Sequence, residues 1–191
     1  MAIPFTPAWR AERERQRRAT VVAASLTREP DEADVTWLAD AAANGDADHA
    51  LWELRYARAA LGLVVAQRDA LDDRTAAEIA AVYSRMLETD PRIADDRREL
   101  AARQFNERLT TYRETMQSRG GTGLAADRLG RCLLAFASDG ARTAGSPLPY
   151  AIELLQRYAD EAAASLRAAY GEARLPDDVK PSVLVEQSRG H

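Results

Sequence analysis

Residues 59–66, AALGLVVA, are the stretch that most limits how this chain can fold. At about 100° per residue, a helix through these positions has no polar side. A helix that is apolar on every side must be surrounded by other helices. We therefore expect a third helix over about residues 46–69 to run through the centre of a bundle, with Gly62 letting one neighbour come close.

Helix-favouring residues and helix boundaries recur along the rest of the chain. Alanine and arginine are abundant, whereas β-branched and aromatic residues are sparse. Capping residues, Pro and Gly predict helices at about 7–26, 30–44, 46–69, 74–88, 91–119, 124–138 and 147–170. We expect an all-α fold, a single helical bundle of six or seven helices with extended N- and C-terminal arms. Its predicted parts are an N-terminal arm with a charged helix (1–29), a helical core domain (30–172) and an extended C-terminal tail (173–191).

The seventh helix carries the most regular apolar pattern. Its apolar residues recur at alternating steps of four and three, as in an a/d seam, at Leu148, Ile152, Leu155, Ala159, Ala162, Leu166 and Ala169. Three heptads are marginal as an isolated coiled coil. We therefore expect this seam to pack within the chain, the alternative being a coiled coil between chains.

The sequence predicts a cytoplasmic protein. The N-terminus lacks the apolar run of roughly 7–15 residues that a secretory signal needs. The longest apolar run, 59–66, is far shorter than the ~20 residues of a membrane span. Cys132 is the single cysteine, so no internal disulfide can form. The excess of arginine over lysine, with Lys180 the one lysine, is typical of a GC-rich bacterial genome.

His49 and Glu53 lie four residues apart, on one helical face, as two ligands of a metal ion would. A carboxylate-bridged metal bundle needs such pairs from two helices, and the other histidine is His191. We therefore expect a solvated or salt-bridged pair, with no metal and no cofactor. The RGGTG stretch at 119–123 is interpreted as a helix end followed by a Thr122 cap, because a phosphate loop needs a preceding strand.

Charge is distributed unevenly along the chain. Residues 31–96 carry 15 acidic and 6 basic side chains, and residues 97–131 carry 8 basic and 4 acidic. The basic segment has Glu at helical spacing, which favours solvated helix faces over a nucleic-acid surface. Regulation through nucleic-acid binding by residues 97–131 is therefore the last of our three functional hypotheses. The pattern favours a protein without a nucleic-acid partner.

Arg58 interrupts an apolar stripe of the third helix. Its guanidinium must therefore reach the edge of the bundle or pair with a buried carboxylate. This position suggests our second hypothesis, a helical small-ligand binder or enzyme with a pocket beside the third helix. The residues predicted to hold an anionic or polar ligand there are Arg58, Tyr56, His49 and Glu53.

The two ends of the chain carry proline and large apolar side chains but cannot build a core of their own. They either strap onto their own domain or dock into a partner. The helical segment 10–18, which follows the N-terminal arm, is polar on all sides. It therefore projects from the bundle or is covered by another charged surface. Our first hypothesis is a non-enzymatic protein–protein interaction or assembly protein that binds a partner or a second copy through helix faces and arms. The predicted docking residues are Ile3, Phe5, Trp9, Val183, Leu184 and Val185.

Overall fold

The computed structural model describes residues 6–70, 72–117, 121–138 and 147–171, without the side chains of 121–123. Within these ranges the chain is all-α, with seven helices and no strand. They are α1 (Pro7–Leu26), α2 (Glu32–Ala41), α3 (Ala47–Asp69), α4 (Asp73–Glu88), α5 (Arg98–Gln117), α6 (Gly121–Ala137) and α7 (Leu148–Tyr170). The expected all-α bundle is confirmed, whereas the predicted tail at 173–191 lies outside the described residues.

Three helices begin at a side-chain cap. Thr6 Oγ1 accepts the backbone N–H of Trp9 at 3.2 Å, and Pro7 occupies the first position of α1. Asp46 accepts the backbone N–H of His49 at 2.9 Å, at the start of α3. Asp72 accepts the backbone N–H of Thr75 at 2.7 Å, at the start of α4. Each cap satisfies a backbone donor that the helix itself leaves unpaired, which is why these starts agree with the sequence.

The start of α5 differs from its predicted position. We expected a helix from Pro91, but residues 91–94 form a turn and a short 3₁₀ segment, Asp95–Arg97, precedes the α-helix at Arg98. The reason is local, because the Asp90 carboxylate accepts the backbone N–H of Arg92 at 2.9 Å. This side-chain bond stabilises a turn in place of the first helical turn.

α3 is the central helix, as its apolar stretch predicts. Every residue from Tyr56 to Ala66 is buried, and α3 packs against all six other helices. At Gly62, an added Cβ would overlap Leu26 of α1. The missing side chain therefore leaves room for the Leu26 side chain of α1, the close neighbour that was expected.

α7 packs inside the bundle, on α3, α6 and α1. Leu155, Ala162 and Leu166 of the predicted seam are buried, and so are Leu154 and Tyr158 beside it. The buried face is thus broader than an a/d seam. The interpretation that this seam packs within the chain is confirmed.

The charged half of α1 is held on one side by ion pairs with α4 and is otherwise largely exposed. Arg74 of α4 donates to Glu12 at 2.8 Å, and Arg15 lies 3.8 Å from Glu78 of α4. The second half of α1 adds the buried Val22 to the core. Ion pairs therefore hold the end of α1 that has few apolar side chains to bury.

Candidate functional site

The four predicted ligand residues lie on opposite sides of α3. His49, Glu53 and Tyr56 recur at steps of four and three, which places them on one face. That face contacts α5 and α6, whereas Arg58 lies opposite and contacts α7. The structure therefore brings three of these residues together and places Arg58 in a separate environment.

Glu53 forms a buried ion pair with Arg108 of α5. Arg108 donates through Nη2 at 2.6 Å and through Nε at 3.1 Å to the two carboxylate oxygens. Glu53 is only 3% exposed. The guanidinium also lies over the Phe136 ring, 4.4 Å from its centroid. We expected a solvated or salt-bridged His49–Glu53 pair, whereas Glu53 is buried and pairs with Arg108, because α5 and α6 cover this end of α3.

His49 bonds to α6 and not to the carboxylate four residues along. Its Nε2 lies 3.2 Å from the backbone carbonyl oxygen of Phe136, which requires the tautomer that carries a proton on Nε2. Among the described residues, no three His, Cys, Asp or Glu side chains come together as a metal site would require. His49 and Glu53 thus connect α3 to two different neighbours.

The tyrosines near this pair are kept neutral by burial. Burial and the nearby Glu53 carboxylate raise the pKa of Tyr56 to about 12. Burial likewise raises the pKa of Tyr112, which is completely buried. Loss of water disfavours the phenolate form. These hydroxyls therefore remain protonated throughout the physiological range.

Arg58 is almost completely buried but incompletely bonded. It is 5% exposed, and its Nη1 donates to Glu161 of α7 at 3.0 Å. The guanidinium also lies 4.2 Å from the centroid of the Tyr158 ring. Its Nε is buried and has no hydrogen-bond partner among the described residues. Glu161 is 40% exposed, so Arg58 has found a carboxylate at the edge of the bundle.

A cleft of about 390 Å³ opens beside Arg58, between the end of α1 and the middle of α7. Its polar lining comes from Ser25, Arg28, Arg58, Tyr158, Glu161 and Ser165. Its remaining walls are apolar, formed by leucine and alanine side chains. The lining carries two cations and one anion, so the cleft has a net positive charge.

A second buried carboxylate, Asp34 of α2, was not identified from the sequence. It accepts hydrogen bonds from the Tyr150 hydroxyl at 2.8 Å and from Arg157, both on α7. The Tyr150 ring lies 4.4 Å from that of Trp37. An acid in the first turn of a helix is typical of a dipole-complementing surface residue. No pattern along the chain marks its partners, which are more than a hundred residues away.

The outer face of α1 is basic and partly apolar. It begins at the half-buried Trp9 and ends at Val21, which is 51% exposed. Arg10, Arg13 and Arg17 lie between them around a shallow depression of about 580 Å³, together with Glu14, which accepts hydrogen bonds from Arg17, so the face keeps a net positive charge. Trp9 is the one predicted docking residue that the structure describes. The others, Ile3, Phe5, Val183, Leu184 and Val185, lie outside the described residues.

The outer face of α7 is acidic and partly apolar. Pro149, Ile152, Glu153 and Asp160 line a shallow depression of about 510 Å³ on it. Arg157 also lies there, but its charge is matched by the buried Asp34. Two outer faces of the bundle therefore carry opposite charge.

Much of the basic charge in residues 97–131 is already paired. Ion pairs with carboxylates of this chain are made by Arg97, Arg98, Arg108 and Arg131. Such pairs reduce the positive field that would attract a phosphate backbone. The described part of this segment thus favours structural and solvated arginines over a nucleic-acid surface.

No family model, no curated protein and no solved structure matches this chain. None of the described helices combines the length and apolarity that crossing a membrane requires.

Proposed function

We propose that this protein is a non-enzymatic assembly module that associates with further copies of itself. The basic outer face of α1 in one copy would contact the acidic outer face of α7 in the next. The observation that carries the proposal is the pairing of these two faces on one chain, each shallow, partly apolar and opposite in charge. Such complementarity directs one surface to another and excludes contact between like faces.

The spacing of the charges agrees with this contact. Arg10 and Arg17 are seven residues apart on α1, and Glu153 and Asp160 are seven apart on α7. Seven residues correspond to about 10.5 Å along a helix. Two such helices packed side by side therefore place both arginines opposite both acids.

The apolar side chains of the two faces add area to the contact. Trp9 and Val21 flank the arginines, and Pro149 and Ile152 stand at one end of the acidic face. One pair of helix faces buries less than the roughly 1,200 Å² of a stable standard interface. The association should thus be weak and sensitive to salt.

The contact joins two different surfaces, so it can repeat from copy to copy. Repeated head to tail, it leaves one basic face and one acidic face free at the ends and produces a ring or an open chain, whereas a two-fold dimer would form both contacts at once. The predicted terminal arms, with Ile3 and Phe5 at one end and residues 183–185 at the other, are a further proposed contact between copies. A cytoplasmic location is part of this proposal.

Sedimentation velocity on the full chain tests the proposal. We expect association that increases with concentration up to about 100 µM at ~50 mM NaCl and is lost at ~500 mM NaCl. Arg13→Glu with Arg17→Glu makes both faces acidic and should abolish association. Glu153→Arg with Asp160→Arg makes both faces basic and should do the same.

A mixture of these two charge-reversed variants is the decisive sample. The acidic α1 of one variant can contact the basic α7 of the other, so the mixture should associate although neither variant does alone. Arg97→Glu with Arg103→Glu is the matched control, since both arginines are exposed and lie outside the two faces. A wild-type chain that stays monomeric in low salt, or a mixture that does not associate, would refute the proposal.

A further inference from the structure

The cleft beside Arg58 has the features of a binding site rather than of a packing defect. We propose that it binds a small organic monocarboxylate, whose carboxylate pairs with the Arg58 guanidinium. The proposal stands on a different surface from the association of copies and does not depend on it.

The unpartnered Nε of Arg58 indicates the chemistry of the ligand. Nη1 is used by Glu161, while the buried Nε has no partner among the described residues. Nε and Nη2 together form the side of a guanidinium that holds a carboxylate with two parallel hydrogen bonds. Buried polar groups in native proteins nearly always have a partner. A bound carboxylate would supply the one that Arg58 lacks.

The charge of the cleft selects an anion with a single charge. Arg28 and Arg58 contribute two positive charges and Glu161 one negative charge, which leaves room for one further negative charge. Inorganic phosphate is a mixture of monoanion and dianion at neutral pH, so its average charge would exceed this balance and Glu161 would repel it. The charge balance therefore favours a carboxylate over a phosphate.

The walls of the cleft fit an apolar ligand body. Leu26, Ala162 and Ala168 line it, and a volume of about 390 Å³ suits a small organic molecule. The Tyr158 hydroxyl is buried and has no hydrogen-bond partner of normal geometry. Burial raises the pKa of Tyr158 to about 12, against the opposing effect of the Arg58 charge. This hydroxyl therefore stays protonated and can donate to a ligand.

Glu161 lies beside the position that the ligand carboxylate would take. It already pairs with Arg58, but through one guanidinium nitrogen only. Its side chain is 40% exposed, so it can turn towards solvent at little cost. Replacing it with glutamine should therefore strengthen ligand binding, an effect opposite to that of replacing the arginine.

Calorimetric titration with benzoate and hexanoate, each compared with its neutral amide, tests the proposal. Both carboxylates should bind and both amides should not. Glu161→Gln should tighten carboxylate binding about three- to ten-fold, since it removes a nearby like charge. Arg58→Lys should weaken it at least about ten-fold, since lysine cannot form the two parallel bonds. Arg68→Gln is the matched control, because Arg68 is an exposed arginine near the C-terminal end of α3.

Two further variants keep the test informative if Arg58→Lys fails to fold. Tyr158→Phe removes an unpaired hydroxyl, so it should preserve the fold and weaken binding about two- to five-fold. Arg28→Gln, at an exposed position, should weaken binding to a similar extent. The proposal is overturned if the amides bind as tightly as the acids, if Glu161→Gln weakens binding, or if phosphate binds in place of the carboxylates.

Discussion

Removing Arg108 should destabilise the fold more than removing any surface arginine. Arg108 has only 8% of its side chain exposed, and its partner Glu53 is 3% exposed. Arg108→Met therefore leaves a carboxylate buried without a counter-charge. Breaking a buried pair in this way costs about 3–5 kcal/mol. That is a large part of the ~5–15 kcal/mol by which a typical domain is stable.

The double variant Glu53→Met with Arg108→Met separates this cost from a loss of packing. It removes both charges and keeps apolar volume at both positions, so its free energy of unfolding should return to within about 1–2 kcal/mol of wild type. Arg131→Met is the matched control. Arg131 forms an exposed ion pair with Asp127 four residues away on α6, a type of pair worth roughly 0.3–0.5 kcal/mol.

Urea unfolding followed by circular dichroism measures all four proteins under the same conditions. The free energy of unfolding should fall with urea concentration at the same slope for each protein. Differences between their unfolding midpoints then report differences in stability directly. A loss below about 1 kcal/mol for Arg108→Met would refute the reasoning, because a solvated pair would behave in that way. A double variant as unstable as the single one would show that packing, and not the unpaired charge, causes the loss.

The other predictions concern helix packing, helix capping and pH. Gly62→Ala should destabilise by about 1–3 kcal/mol in urea, because the new Cβ overlaps Leu26. A gain in stability, as helix propensity alone predicts, would contradict this overlap. Asp46→Ala should cost about 1 kcal/mol by losing the bond to the backbone N–H of His49, and Asp46→Asn should cost much less. An equal loss for both variants would show that capping is not the cause. The pKa of Tyr56 is raised to about 12 in the folded protein, against about 10 in an unfolded chain. Stability should therefore be independent of this group below pH ~10 and fall between pH ~10 and ~12, less steeply in Tyr56→Phe. Native tyrosine absorbance that titrates fully near pH 10 would contradict it.

Helix boundaries were predictable where a local interaction determines them. The cap formed by Asp46 spans three residues, and Asn44 and Gly45 have the positive φ angles that the end of the preceding turn requires. Such features are visible in a short stretch of sequence. The predicted start of α5 was wrong although the interactions there are equally local. Pro91 favours a helix start, whereas the Asp90 side chain favours a turn. Propensity does not rank these two tendencies.

The candidate site was less predictable because its partners are far apart in the chain. A helical wheel shows which face of α3 carries Glu53 but not which helix packs against that face. Its partner Arg108 is 55 residues away in the chain. Arg58 was recognised as needing a partner, yet Glu161 lies 103 residues away. The sequence thus identifies which side chains need compensation, and only the packing of the helices shows what compensates them.

Three charged residues in the middle of α3 differ in how completely the fold satisfies them. Glu53, Arg55 and Arg58 point in different directions, and each pairs with a different part of the chain. Glu53 bonds through both oxygens to Arg108. Arg55 bonds through Nε and Nη2 to Glu29. In a core rich in alanine, where many registers pack similarly, such pairs can specify which neighbour lies where. That role accounts for the full bonding of Glu53 and for both bonds of Arg55. It does not account for the buried Nε of Arg58, which has no hydrogen-bond partner among the described residues, and this difference is the reason to look for a ligand there.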